Sequence, residues 1–477
     1  MRYICIHGHF YQPPREDPST GKIIPQPSAA PYPDWNHRIT DECYAANLNA
    51  EIWNGKGEVV SVRNNYEQMS FNFGPTLLRW MKSEAPEVYE NLVQNAGAAA
   101  MAQVYHHSIL PLCNARDKKT EVLWGISDFK HRYGRPPKGM WLAETAADTA
   151  SLEALAEAGI EFTILAPEQI KAIRPIGAKV YRRVNQSTLD TSRPYQFNLP
   201  SGRSIVVFPY NGDLAQEVAF KGALNNGEHF AHMLIEQARH CPQDSLIHYA
   251  TDGESYGHHH RKGEMALAYC FKVLNETSDV ELTHYAAYLA KHPPQYEALI
   301  HEPSAWSCAH GVGRWSANCG CVIDPINAGK QEWRPILRRA LNRLRDRLAQ
   351  AYFMALSGLV EDPWQLRDLW LGAELEGTTE ALLKTFAPSS SDEERTQIRQ
   401  WVSLQRYALM MFTSCGWFFD DVAGIEPTQI LRYARQAMIL HETLTGKELE
   451  SWFVGELEGI QALDPKIGGA LGVWARV

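Results

Sequence analysis

The sequence predicts a barrel-like α/β domain followed by a C-terminal helical bundle. Three observations predict it. Short apolar segments recur through the first two thirds of the chain, each ending in polar residues. Near residues 139–165 a strand, a helix and a strand follow one another within about 25 residues, the βαβ signature. Past residue 330 the texture changes to long amphipathic helical patterns.

The first strand is Tyr3 to Ile6, followed at once by His7, His9, Tyr11 and Gln12. In a mostly parallel sheet, functional side chains gather at the C-terminal strand ends. Pro13, Pro14, Pro18, Pro25, Pro27, Pro31 and Pro33 then rule out regular structure and predict a long surface excursion. Asp41 to Trp53 reads as helix, Val59 to Val62 as strand, and Pro75 to Trp80 as helix. Ala98 to Val104 is small and apolar and runs into Tyr105, His106 and His107.

Gly139 to Glu144 follows a basic, proline-containing turn. Ala146 to Ala158 is helix-prone and stops at Gly159, and Ile160 to Leu165 is the next strand. Ile205 to Phe208 and Ser245 to Tyr249 are further strands, the second ending in Ala250-Thr251-Asp252-Gly253-Glu254. Helical patterns cover Trp333 to Leu356, Pro363 to Leu375, Asp392 to Met411 and Pro427 to Leu444. The expected division is residues 1–325 for the barrel-like domain and 326–477 for a helical domain that completes the substrate cleft.

With 477 residues the chain can bury a large core, and its net charge of -9 is mild for that length. It gives no reason to expect a nucleic-acid partner. The arginine-rich stretch Gln331 to Arg347 has acidic residues and apolar spacing among its arginines and reads as a solvated helical face. No uncharged run approaches the roughly 20 residues that span a bilayer. The first residues lack a signal-peptide layout, so a cytoplasmic, reducing setting is expected. Nine cysteines are too sparse for a disulfide scaffold. Cys308, Cys319 and Cys321 cluster, but C-x10-C-x-C matches no common zinc pattern, and inert thiols are expected there.

Two acids stand out. Glu144 ends an aromatic and apolar segment, and Asp252 precedes Gly253 in a run that continues to His258, His259 and His260. Locally, Glu144 fits a helix cap and Asp252 a turn equally well. Glycosidic chemistry needs a pair like this, one carboxylate to attack a sugar centre and one protonated carboxyl to assist the leaving oxygen. A competing account uses His7, His9, His106, His107, Asp148, Asp213 and His258 to His260 as ligands for a hydrolytic metal.

These segments resemble glycoside hydrolase family 57, in particular the branch that carries the DUF3536 region. His9-Phe10-Tyr11-Gln12-Pro13 resembles the first family segment with two residues inserted, and Gly97 to His107 resembles the second. Trp141-Leu142-Ala143-Glu144 resembles the third and implies Glu144 as nucleophile. Thr251 to Gly257 resembles the fourth and implies Asp252 as general acid/base. Thr413 to Asp420 resembles the last, which implies Trp417 as a sugar platform and Asp420 as a hydroxyl ligand. Trp306 to Trp315 resembles the DUF3536 branch and offers His310, Arg314 and Trp315 for added subsites.

The resemblance implies a distorted (β/α)7-type barrel followed by helical domains. It also implies a retaining hydrolase or transglycosylase acting on α-glucan or a related α-linked oligosaccharide, without cofactor or metal. His9, Gln12, His107, Trp141 and His258 are the further expected sugar contacts. The alternatives are a metal-dependent polysaccharide deacetylase and a noncatalytic glycan-binding protein.

Overall fold

A computed structural model describes all 477 residues. The chain forms two compact units whose segments alternate along the sequence. The first comprises Met1–Gln12, Pro25–Gln103 and Arg132–Glu302, and the second Pro13–Ile24, Val104–His131 and Pro303–Val477. This differs from one boundary near residue 325. Hydrophobic burial explains why: Tyr105 and Trp124 pack with Leu371 and Leu409, so an early segment belongs to the core of the helical unit.

The first unit contains seven parallel strands: β1 (Arg2–Phe10), β2 (Ser70–Phe73), β3 (Ala102–Gln103), β4 (Met140–Trp141), β5 (Phe162–Leu165), β6 (Ser204–Pro209) and β7 (Leu246–Asp252). Their order is β6-β5-β4-β3-β2-β1-β7. Ladders join β6 to β5, β4 to β3, β2 to β1 and β1 to β7. Single parallel bridges, Phe71 with Ala100 and Gly139 with Phe162, carry the order across the two remaining steps.

The ring stays open between β6 and β7. The free edge of β6 is taken by Tyr195–Asn198, which runs antiparallel to it and continues into a six-stranded sheet. At the seam the Asn211 N–H donates to the His248 carbonyl at 2.9 Å. This inserted antiparallel sheet is the distortion of the barrel.

Strand β1 shows why the sequence folds this way. Tyr3 to Phe10 are all buried, the pattern of a strand covered on both faces, and its polar members His7 and His9 fall toward the C-terminal end. Two local expectations shift. Ala146 to Asp148 are not helical; the helix is Thr149–Glu157, begun by Asp148, whose carboxylate accepts the Ser151 N–H at 2.7 Å. The helix expected at 41–53 ends at Leu48, and Ala50–Trp53 instead pairs with Val59–Arg63 as an antiparallel hairpin.

The second unit carries the helices Trp333–Leu356, Pro363–Leu375, Asp392–Met410 and Ile425–Thr445. Their starts are written in the sequence. Asp362 caps the second through the Trp364 and Gln365 N–H groups, with Pro363 following, and Ser391 and Glu394 form a capping box on the third. In the arginine-rich helix, Leu337, Leu341, Leu344 and Leu348 make the buried stripe, and Arg343 reaches out to Glu456 at 2.6 Å. No helix is long and apolar enough to cross a membrane.

Candidate active site

The C-terminal ends of the parallel strands bring together the residues that the sequence singled out in the first unit. Across the β1–β7 ladder His9 lies opposite Asp252, and across the β1–β2 ladder it lies opposite Asn72. Trp141, at the end of β4, stacks on His9 with ring centroids 4.8 Å apart and on His7 at 5.1 Å. Tyr11 lies nearly parallel to His9 on the same strand end, at 6.0 Å. Gln12 follows Tyr11 and is half-buried.

Asn72 organises this layer. Its amide nitrogen donates to His9 Nδ1 (2.9 Å) and to Gln103 Oε1 (2.7 Å), while its oxygen pairs with His7 Nε2 (3.1 Å). With Nδ1 accepting, a neutral His9 carries its proton on Nε2. Burial drives the His7 pKa down to about 3, so that ring is neutral as well. His7 is therefore an uncharged member of this hydrogen-bonded layer.

Glu144 sits three residues beyond Trp141 in a backbone that non-glycine residues avoid. Its φ is 58° and that of the following Thr145 is 50°. Two successive left-handed residues cost on the order of 1–3 kcal/mol each and persist only where surroundings enforce them. Gln169, itself buried, does the enforcing: it bonds the Thr145 hydroxyl at 2.8 Å and donates to the Thr145 carbonyl at 2.9 Å. Since Asp148 caps the next helix, capping does not account for Glu144.

Asp252 ends β7, and its side chain makes no capping bond to the turn that follows. Water reaches this side chain, yet protein surrounds it closely enough that loss of hydration is the largest influence on its titration. That desolvation, then the charges of Glu254 and Glu144, hold the Asp252 pKa well above the usual carboxylate range. Asp252 thus holds its proton to higher pH than an ordinary carboxyl, under the influence of two acidic neighbours. Gly253 is required next to it, because a Cβ there would lie 2.3 Å from the Phe10 ring.

Glu254 was not among the residues singled out for the site. It is buried and accepts the Tyr11 N–H (3.0 Å) and the Tyr44 hydroxyl (2.6 Å), and desolvation raises its pKa to about 7. Tyr44 belongs to a π-helical turn, Thr40–Ala45, that grips the loop after β7. Glu42 of that turn pairs with His258 at 2.5 Å, and Asn47 just beyond it donates to the Tyr256 carbonyl at 2.6 Å. His258 therefore borders the loop with its Nδ1 committed to Glu42. The Asp-Gly-Glu sequence was the available signal for Glu254. Nothing in the pattern marked Asn72, Gln103 or Gln169.

Replacing Glu254 by Gln is expected to move the alkaline limb of activity to lower pH, because one of the charges that keeps Asp252 protonated is gone. The folded pKa of Glu254, about 7, lies above its ordinary 4.5, so protonation of this group favours the fold. That contribution is complete below pH 4.5 and is lost as pH rises through 7. Melting curves of the two proteins from pH 4 to 8 should diverge across this interval, roughly the span between those two pKa values, with the Gln variant the more stable at the upper end.

The remaining expected contacts belong to the second unit. His107 is fully buried, with Nδ1 2.6 Å from the Ser414 hydroxyl, and burial lowers its pKa to about 3. Trp417 is fully buried with the Arg338 guanidinium over its ring at 3.7 Å, and Arg338 also donates to the carbonyl of the equally buried Trp315. These rings are core, so the expected sugar platform at Trp417 has no open face in this arrangement. Asp420 accepts the N–H groups of Ile323 (2.8 Å) and Asp324 (2.9 Å) and so spends its oxygens on the chain. Arg314 is buried over Phe418 and donates to the Ser307 carbonyl, while His310 is exposed beside three cysteines.

Three of the side chains weighed as ligands for a hydrolytic metal are committed to separate partners. His106 bonds Glu121 at 2.7 Å, Asp148 caps its helix, and His260 bonds the Ala219 carbonyl at 2.9 Å. A cavity of about 250 Å³ lined by Ser192, Arg193, Asp244, Tyr288 and His292 lies at the start of β7. It is about 20 Å of strand away from Asp252, at the end of the barrel that does not carry chemistry.

The sequence model described as "Glycosyl hydrolase family 57" matches residues 9–301, more than half of the chain. The chain belongs to glycosyl hydrolase family 57. A second model, "Domain of unknown function (DUF3536)", matches residues 330–477. Among curated family relatives, alpha-amylase 1 of Dictyoglomus thermophilum is 30% identical over 100 residues, covering 20% of this chain and 15% of that one. The 4-alpha-glucanotransferase of Thermococcus litoralis is 20% identical over 256 residues, covering 52% and 36%. The match thus spans little more than a third of these relatives at most.

Family 57 membership agrees with the fold. The exo-type maltose-forming amylase of Pyrococcus sp. ST04 superimposes with a TM-score of 0.67 at 13% identity, covering 100% of this chain and 88% of that one. The barrel-type α/β architecture followed by a helical region, with seven parallel strands, is the arrangement this family fold predicts.

Proposed function

We propose that this chain is a retaining glycoside hydrolase or transglycosylase that acts on α-glucan or a related α-linked oligosaccharide. The observation that carries the reading is the setting of Asp252: a carboxyl at the end of β7, opposite His9, whose pKa is held well above the usual carboxylate range by desolvation and by the charges of Glu254 and Glu144. A double displacement needs this acid beside a nucleophile, the two carboxyls about 5 to 5.5 Å apart. The direct action of the Glu144 charge on Asp252 supports such closeness.

In the first step Glu144 attacks the anomeric carbon while Asp252 gives its proton to the departing glycosidic oxygen, leaving a covalent glycosyl–enzyme. In the second, Asp252, now ionised, takes a proton from water or from a sugar hydroxyl, which displaces Glu144 and restores the starting configuration. The strained Glu144–Thr145 backbone, clamped by Gln169, fixes the nucleophile before substrate arrives. His9, opposite Asp252, is proposed to contact the sugar, with the fully buried Trp141 backing it and with Gln12 and His258 at the margin. His107, His310, Arg314, Trp315, Trp417 and Asp420 are proposed as the framework of the second unit.

The names of the curated relatives, an amylase and a glucanotransferase, favour α-linked glucose. Nine free cysteines favour a reducing, cytoplasmic setting. The test is time-resolved NMR of the anomeric protons during reaction with maltoheptaose. First-formed product with the α configuration is expected; β product formed first would sink the mechanism. Hydrolysis raises reducing ends, whereas transfer redistributes chain lengths without raising them.

A further inference from the structure

We propose that Cys308, His310, Cys319 and Cys321 bind one zinc ion in a closed tetrahedral site of the second unit. Read as three cysteines, this stretch fitted no zinc pattern; His310 is the fourth ligand that the sequence spacing concealed. The four ligand atoms all lie within 4.8 Å of one another. Cys308 Sγ is 3.9 Å from Cys319 Sγ and 3.8 Å from Cys321 Sγ, and Cys321 Sγ is 3.6 Å from His310 Nδ1. Zinc with Zn–S of about 2.3 Å and Zn–N of about 2.0–2.1 Å makes tetrahedral edges of about 3.8 Å between sulfurs and about 3.6 Å from sulfur to nitrogen. Three edges of the cluster already have these lengths, and none exceeds 4.8 Å. A disulfide would need sulfurs about 2.05 Å apart, and all three thiols are free.

The surroundings are those of a ligand site. The Arg314 N–H points to Cys308 Sγ at 3.4 Å, the kind of bond that steadies a coordinated thiolate. Gly320, with φ 88°, makes the turn that lets the thiols on either side of it face the same point. Three thiolates around a divalent ion leave one negative charge, and Arg334, which donates to the Cys321 carbonyl at 2.7 Å, supplies an adjacent positive one.

The chain has a use for such a pin. Between the strand ending at Ile300 and the helix starting at Trp333 the regular structure consists of two short 3-10 turns, Gly313–Trp315 and Pro325–Asn327. Ordered loops rarely exceed about 12–15 residues without structure of their own. With four protein ligands no position remains for water, so the ion is structural and takes no part in glycosidic chemistry. The proposal is independent of the function proposed for Glu144 and Asp252.

The test is metal analysis of protein produced in zinc-supplemented medium. About one zinc per chain is expected, with X-ray absorption showing three sulfurs and one nitrogen at about 2.3 and 2.0–2.1 Å. The double variant C319S/C321S should lose at least about nine tenths of that zinc, while H310C, which offers a four-cysteine shell, and C241S, altered far from the cluster in sequence, should keep it. If the double variant does not fold, mercurial titration of the wild-type thiols decides, since zinc should be released in step with them. Wild-type protein without zinc, full zinc in C319S/C321S, an absorption spectrum with no zinc–sulfur shell, or a Cys308–Cys319 disulfide in the purified protein would each overturn the assignment.

Discussion

Replacing Glu144 by Ala is expected to lower turnover of maltoheptaose by at least about 10⁴-fold, or about 5.5 kcal/mol of transition-state stabilisation, with the fold intact. The loss is large because the nucleophile makes the bond that defines the first step, and the other groups cannot substitute for it. Sodium azide should restore part of the activity toward an activated α-glucosyl fluoride, entering the space of the lost carboxylate and giving a β-glucosyl azide. A purely structural role for Glu144 predicts lowered stability and no azide product. Circular dichroism and product NMR on one preparation separate the two.

Asp252→Asn should lower activity on maltoheptaose by about 10²- to 10⁴-fold, the range of a lost general acid, with a smaller loss for α-glucosyl fluoride, whose leaving group needs little protonation. Azide should here capture the glycosyl–enzyme and give the retained α product. The pH profile supplies a second readout. The wild-type pKa is raised by desolvation first and by Glu254 and Glu144 next, so the first step should fail as pH rises through that elevated value. In the Asn variant this limb should be gone. The sign for stability follows: a carboxyl whose folded pKa exceeds its unfolded value favours the fold while protonated and disfavours it once ionised. The Asn variant should therefore melt no lower than wild type on the alkaline side. Equal losses on both substrates would remove Asp252 from the acid/base role.

The strand-end positions of the two acids were legible in sequence because each closes a buried apolar run, whereas their proposed roles came from the family resemblance. The helices of the second unit were legible through caps such as Asp362 and Ser391. Other residues escaped because their significance is spatial. Asn72 and Gln103 are ordinary amides until their strands bring them into one hydrogen-bonded layer, and Gln169 is one until its 3-10 turn meets Thr145. Trp417 read as a sugar platform through the family resemblance, which does not reveal that Arg338 occupies its face. His310 escaped as a zinc ligand because one residue between it and Cys308 and eight between it and Cys319 match no familiar spacing. The alternation of the two units escaped for a similar reason: proline-rich and helical segments near residues 13–24 and 104–131 look like excursions of the barrel, and only burial assigns them elsewhere.

That alternation has a consequence for how such a chain can be inherited. The polypeptide passes from one unit to the other after residues 12, 24, 103, 131 and 302. A recombination event that moved the C-terminal portion to another gene would leave Trp124 behind, severed from the Leu371 and Leu409 it packs with. Each half would carry an unfinished core. The barrel and the helical region are therefore expected to travel through evolution as one cassette, changing by substitution and loop insertion and not by exchange of parts.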